Sequence, residues 1–250
     1  MSSNVLRQNI KSMIDNGHHF TDMSTQTDKT LMDVINKLVI PYASLIFPNV
    51  THRKSISLFE CQRRFGLGVP DPSKKGVSMK PDGGILFTND IPILIAEMKV
   101  QGTNDLRFKE GKEKQATGNA VERAAKNIRG AEMLFDDLPC FPYVIFASGC
   151  DFHPSETIAS RFQMMNYGVP NKTIIITPEK TLENIEKEIL THIDIMDISK
   201  KKNKSIAMIF IKTHKWDQMA HGTSLWKSDE IFIVLKTILD KVRTVFPSHP

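Results

Sequence analysis

Cysteine is scarce: Cys61, Cys140 and Cys150 are all there is. An odd count at irregular spacing excludes a disulfide framework and points to a reducing cytosol. The same spacing offers no zinc pattern. Long apolar runs are missing too, and none approaches the roughly 20 residues of a membrane span. Met1 to Phe20 is polar and lacks the apolar core of a signal peptide. No internal repeat is visible. A large excess of one charge is also absent, since 33 Lys and Arg face 28 Asp and Glu, a net charge of +5. That mild basicity is compatible with a nucleic-acid partner and does not by itself require one.

What is present is enough chain for a sizeable core. At 250 residues a single large domain is the first expectation. Its core is expected over about 30–250, with residues 1–28 forming a helix and arm. Residues 29–47 read as a helix interrupted near Pro41. Residues 55–60 read as a strand or a helix start, and Phe65 to Val77 as a loop. Gln101 to Lys114 reads as a polar connection. A helix is predicted from Asn119, because Val121, Ala124, Ala125, Ile128, Ala131, Leu134 and Phe135 recur at helical spacing. Strands are predicted around Tyr143–Phe146, Ile174–Ile176 and Ser205–Ile211, and helices over Thr181–His192 and Ile231–Val245. Alternating strands and helices predict an α/β domain with a mixed central β-sheet flanked by helices.

The most informative stretch runs from Lys80-Pro81-Asp82-Gly83-Gly84-Ile85 to Ala96-Glu97-Met98-Lys99. Two apolar runs, Ile85–Phe87 and Ile93–Ala96, flank the turn-type cluster Thr88-Asn89-Asp90. A hairpin centred between Asn89 and Asp90 places Asp82 opposite Glu97, with Cβ atoms roughly 4.5–5.5 Å apart. Glu97 and Lys99 are two apart on one strand and share a face. Two carboxylates and an ammonium thus converge. Phosphodiester hydrolysis must stabilise charge on the attacking and leaving oxygens, and magnesium, a hard cation with carboxylate ligands, does this. Asp82 and Glu97 fit that role, and the Ala96 carbonyl is a candidate further ligand. Lys99 either positions or deprotonates a water or neutralises developing charge. A surface hairpin with an ion pair is the alternative. Against it, Pro92–Ala96 is a nearly continuous apolar run, and charges at the end of a buried strand are costly without a purpose.

Gly118-Asn119-Ala120-Val121-Glu122-Arg123 opens the predicted helix. Free backbone N–H groups and the dipole make such an end suited to phosphate. Asn pairs bidentately with the major-groove edge of adenine, and Arg also reads bases there. Asn119 and Glu122 are equally what a plain capping box needs.

Taken together, these stretches resemble the EcoRI-type restriction endonucleases. The match is carried by Lys80–Ile85, Ala96–Lys99 with Gln101-Gly102, Gly118–Arg123 with Lys126-Asn127-Ile128, Phe141–Val144 and Asn166–Pro170, in the family's order. The resemblance implies a restriction-endonuclease-like core and a magnesium-dependent homodimer in a bacterial cytoplasm. Such an enzyme cuts a short palindrome in double-stranded DNA, leaves 5′ overhangs and is paired with a methyltransferase acting on the same site. It implies that Asp82, Glu97 and Lys99 are catalytic. It also implies that Gly118, Asn119, Ala120, Glu122 and Arg123 read an inner AATT, in GAATTC or a variant of the outer pair. Gln101, Gln115 and Arg161 are further DNA contacts on this basis. Gln115-Ala116-Thr117 departs from the family's Met-Ala-Ala, where the outer pair is bordered, and Val100 replaces a polar residue. The stretch between the hairpin and the box is shorter than in the family. A DNA-binding module without cleavage and a structure-specific repair nuclease of the same metal-site pattern remain the alternatives.

Overall fold

The structure, a computed structural model, describes residues 20–65, 69–113, 119–135, 142–154, 157–158, 160–161, 171–176, 184, 187, 206–213, 215 and 225–245. Among these a six-stranded mixed sheet forms the centre. Its strands are β1 (Val50–Arg53), β4 (Gly84–Thr88), β5 (Ile91–Val100), β6 (Pro142–Ser148), β7 (Asn171–Ile176) and β8 (Ile206–Lys212), in the order β1-β4-β5-β6-β8-β7. β1, β4 and β5 pair antiparallel, whereas β5, β6, β8 and β7 pair parallel. A second, two-stranded sheet joins β2 (Ile56–Ser57) to β3 (Ser78–Met79). The expected α/β layout with a mixed central sheet is what the chain adopts.

Each face of the sheet carries its own core. On one face lie α1 (Phe20–Val34), α2 (Ile40–Ile46) and α6 (Ser228–Val245), where Leu31, Ile35, Leu235 and Leu239 pack on Leu94, Met98, Phe146 and Phe210. The other face carries α5 (Asn119–Leu134), whose Val121, Ala124, Ala125 and Ile128 pack on Ile85, Ile95, Tyr143 and Ile145. The largely apolar β6 is buried from end to end, as a parallel strand covered on both faces must be. Trp226, Cys61 and Cys150 are buried in the core. Trp226 donates to the Ala147 carbonyl at 3.1 Å. Cys140 and Trp216 lie outside the described residues.

Several boundaries differ from the sequence reading. Residues 20–28, read as arm, are the first turns of α1, and 1–19 lie outside the described residues. The break expected near Pro41 is a π-helical turn, Ile35–Val39, and the helical run continues to Ile46. Pro41 has no N–H, and its ring crowds the carbonyl four residues earlier. The wider turn absorbs this, with the Ile40 N–H donating to the Ile35 carbonyl. Residues 55–60 are both things expected of them, β2 followed by α3 (Leu58–Phe65). Pro72–Gly76, inside the expected loop, is a short 3-10 helix capped by Asp71.

The connection read over 101–114 contains a helix, α4 (Thr103–Lys109). No periodicity announces it, because its cap comes from far along the chain. The buried Asp151 carboxylate accepts from the N–H groups of Thr103 and Asn104, each at 3.0 Å. Gly149 makes this possible. Its φ is +117°, and a Cβ there would lie 2.0 Å from the Gln101 carbonyl oxygen. Of the helix expected over 181–192, Asn184 and Lys187 are described, and both are helical.

Candidate active site on the β4–β5 hairpin

The hairpin turns where the sequence placed it. Asn89 and Asp90 have φ of 46° and 65°, the left-handed pair of a two-residue turn matched to strand twist, and Thr88 pairs with Ile91. The register beyond the turn differs from the expected one. Phe87 pairs with Pro92, yet Leu86 pairs with Leu94, so Ile93 is a bulge. Ile93 and Leu94, consecutive residues, both enter the core under α1 and α6. An extra residue on one strand turns the rest of it over. From Ile95 onward the odd positions face α5, and these are Glu97 and Lys99. Pairing past the bulge aligns Gly84 with Ala96, so Asp82 lies level with Met98 and not Glu97. The Met98 N–H accordingly donates to Asp82 Oδ2 at 3.1 Å.

Asp82 reaches the cluster because it sits on a turn ahead of β4. The Gly84 N–H donates to the Pro81 carbonyl at 3.0 Å, and the Gly83 N–H to the Ala96 carbonyl at 2.9 Å. Gly84 has φ of +76°, and a Cβ there would meet His52 Nε2 at 2.3 Å and the Arg53 carbonyl at 2.7 Å. His52, on β1, has Nε2 3.0 Å from the Gly83 carbonyl oxygen. A carbonyl only accepts, so Nε2 carries the hydrogen.

The three expected groups do converge. Lys99 Nζ lies 3.5 Å from Asp82 Oδ2 and is ion-paired with Glu97 Oε1. Glu97 is 2% exposed, while the side chains of Lys99 and Asp82 are 22% and 29% exposed, so the cluster opens to solvent past Asp82. Burial disfavours the Lys99 ammonium, but the charges of Glu97 and Asp82 outweigh it and raise its pKa above the ordinary lysine value. Ala96 gives its carbonyl to Gly83, and the carbonyl beside Lys99 Nζ, at 3.2 Å, is that of Met98.

Three contributors were not among the expected site residues, although Asn127 and Tyr143 lie in stretches that carry the family resemblance. The Asn127 carboxamide, from α5, donates to Glu97 Oε1 at 2.7 Å. The Tyr143 hydroxyl, from β6, donates to Oε2. Burial first, and then the Glu97 charge, push the Tyr143 pKa well above the ordinary tyrosine value, so the phenol stays a donor. Asp28 on α1 supplies a third carboxylate near the cluster; burial, then the Asp82 charge, raises its pKa.

Glu122 and Arg123 are exposed on α5, and the backbone of Asn119 and Ala120 forms its first turn. Gln101 is half-buried just past β5, with its N–H donating to the Ser148 carbonyl at 2.9 Å. Arg161 is exposed on a helical segment. Gln115 and Gly118 lie outside the described residues.

The oxygens gathered at the cluster are the Asp82 and Glu97 carboxylates and the Met98 carbonyl, all hard donors. Among the described residues no group of three or more His, Cys, Asp or Glu side chains is arranged for a metal. A sparse all-oxygen set fits magnesium, which keeps most of its waters, better than zinc. No helix among the described residues is long and apolar enough to cross a membrane.

Comparison with known proteins places this geometry. The chain is 31% identical over 137 residues to the type II restriction enzyme EcoRI of Escherichia coli, covering 47% of this chain and 50% of that one. It is 37% identical over 92 residues to the type II restriction enzyme RsrI of Cereibacter sphaeroides, covering 31% of this chain and 33% of that one. The aligned stretches thus span half or less of these curated relatives. The family model described as restriction endonuclease EcoRI matches residues 18–241. With that match over most of its length, and with a mixed sheet carrying the hairpin that joins Asp82, Glu97 and Lys99, the chain belongs to the EcoRI restriction endonuclease family.

Proposed function

We propose that the chain, as one endonuclease domain over 1–250, is a magnesium-dependent type II deoxyribonuclease. Its substrate is a short palindrome in double-stranded DNA containing AATT, as GAATTC or a variant of the outer pair, cut to leave 5′ overhangs with 5′-phosphates. The observation that carries this reading is the meeting of Asp82, Glu97 and Lys99 at the open end of β5, directly beside α5. Asp82 and Glu97, with the Met98 carbonyl, are the residues to hold the metal. When bound, the ion lowers the pKa of a water and offsets charge on the phosphate oxygens. Lys99 sets a positive charge where a scissile phosphate approaches, and orients its non-bridging oxygen for in-line attack.

Asn119, Ala120, Glu122 and Arg123 are the base readers, with Gly118 letting the backbone approach. Asn119 precedes Asn127 by eight residues, so at about 1.5 Å rise per residue the reading turn stands about 12 Å along the helix from Glu97. Gln101, Gln115 and Arg161 are backbone or outer-pair contacts. A palindrome calls for a two-fold dimer, and a cutter of this kind calls for a methyltransferase that protects the same site.

Incubation of plasmid with magnesium and sequencing of the ends is the test. Discrete fragments whose ends share AATT support the reading. No cutting favours a DNA-binding module, and cutting confined to branched or damaged DNA favours a repair nuclease. Arg123→Lys exchanges a planar fork for a point charge. It is expected to lower discrimination at the base it reads by about 10–100-fold, in line with about 1–3 kcal/mol for a bidentate pair. Single-turnover cleavage of duplexes differing at one inner pair measures this. An unchanged ratio removes Arg123 from the readers.

A further inference from the structure

The residue that grips Glu97 from α5 belongs to the same helical row as the base readers. Asn119, Arg123 and Asn127 follow one another at intervals of four, which places them along one side of α5. At the far end of that row the Asn127 carboxamide donates to Glu97 Oε1 at 2.7 Å, while Tyr143 holds Oε2 from the sheet. Between the ends, α5 is seated on the sheet by Ala124 and Ala125, which share one buried core with Ile95 of β5 and with Tyr143 and Ile145 of β6. A helix packed into such a core moves as a unit. A shift at its reading turn therefore reaches the carboxamide.

We propose that Asn127 is a positioning residue that ties sequence reading to cleavage, orienting Glu97 for the metal only when α5 is seated on the correct bases. This rests on the proposed reading of DNA by the first turn of α5. The chemistry is a displacement of one hydrogen bond. When α5 is shifted, the Nδ2 donor leaves Oε1, Lys99 and Tyr143 are left as the partners of the carboxylate, and the metal loses a fixed ligand. A misplacement of about 1 Å in such a constellation is enough to cost about 100-fold in rate.

The full-length chain carries the test, as wild type, Asn127→Ala and Asn127→Leu. Three quantities are read: binding to a duplex bearing the mapped site without divalent metal, Mn2+ affinity from the free-ion EPR signal, and single-turnover cleavage of that duplex against one with an inner pair replaced. Binding is expected to stay at the wild-type level. Mn2+ affinity and site cleavage are each expected to fall about 10–100-fold, the range for losing the partner of a metal ligand. The ratio of site to altered-site cleavage should fall with them, because the altered site is already cut without the alignment.

Unchanged Mn2+ affinity in both variants overturns the proposal. So does an equal loss on the two duplexes, which is what a merely stabilising contact gives. If the alanine variant does not fold, the leucine variant, similar in volume and lacking the donor, decides alone. A wild type that cuts with no sequence preference overturns the base reading and with it the tie to cleavage, whereas the Mn2+ measurement still settles whether Asn127 orients Glu97.

Discussion

Lys99→Ala is expected to abolish cleavage while leaving site-specific DNA binding in place. The ammonium lies against both carboxylates, 3.5 Å from Asp82 Oδ2 and paired with Glu97, at the open side of the cluster. Its charge is held there before any phosphate arrives, so no reorganisation is needed when negative charge develops. Removing one such preorganised donor typically costs about 100–1,000-fold in turnover. Binding should persist because the proposed readers are on α5, and alanine leaves the hairpin backbone intact. Loss of the cation also leaves two carboxylates facing one another, which tightens rather than weakens their hold on a divalent ion. Gel-shift titration beside single-turnover cleavage separates the two effects. Cleavage at the wild-type rate removes Lys99 from the mechanism.

Gly84→Ala is expected to damage stability and activity together. An alanine pays for φ of +76° by about 1–2 kcal/mol. Its methyl would also overlap His52 Nε2 and the Arg53 carbonyl, and overpacking of this kind adds about 1–3 kcal/mol. The sum, about 2–5 kcal/mol, corresponds to a fall in Tm of roughly 5–15 °C for a chain of this size. The only relief is to move β1 away or to open the Pro81–Gly84 turn. The second route carries Asp82 off Met98 N–H and away from Lys99. His52→Ala in the same background removes the ring the methyl meets, so it is expected to recover part of the Tm. Urea unfolding and cleavage rates on the single and double variants measure both. A Gly84→Ala chain with wild-type Tm rules out the clash.

These effects show which parts of the site could be read from the chain alone. The turn was legible, because Asn89-Asp90 is a local signal with a local cause. Glu97, Lys99 and Asp82 were legible as a cluster, because short spacing on a strand fixes a face. The register was not, since nothing in the composition of Pro92-Ile93-Leu94 marks which residue bulges. The convergence was foreseen, but by a route that lacked the bulge. The contacts of Asn127 and Tyr143 with Glu97 were also hidden. Their partner is 30 and 46 residues away, and only the packing of α5 and β6 against β5 brings them together. The same holds for α4, whose cap Asp151 is 48 residues from Thr103. Local chemistry announces itself in a sequence, while long-range hydrogen bonds to a buried acid do not.

Ile93 also bears on how a chain of this kind can change over generations. Upstream of it, β5 takes its orientation from the turn; downstream, from α5 and the sheet. Residues added or lost at the Asn89–Asp90 tip leave Glu97 and Lys99 where they are. A single residue added or lost between Ile93 and Glu97 instead exchanges a charged pair for Ala96 and Met98, and buries the charges beneath α1. The tip is thus free in length, whereas the stretch behind the bulge obeys parity: a change of one is tolerated only if a bulge is gained or lost with it. Conservation in this hairpin should accordingly be sought in odd and even positions, and a missing Ile93 in a relative should be accompanied by a compensating slip elsewhere in the same strand.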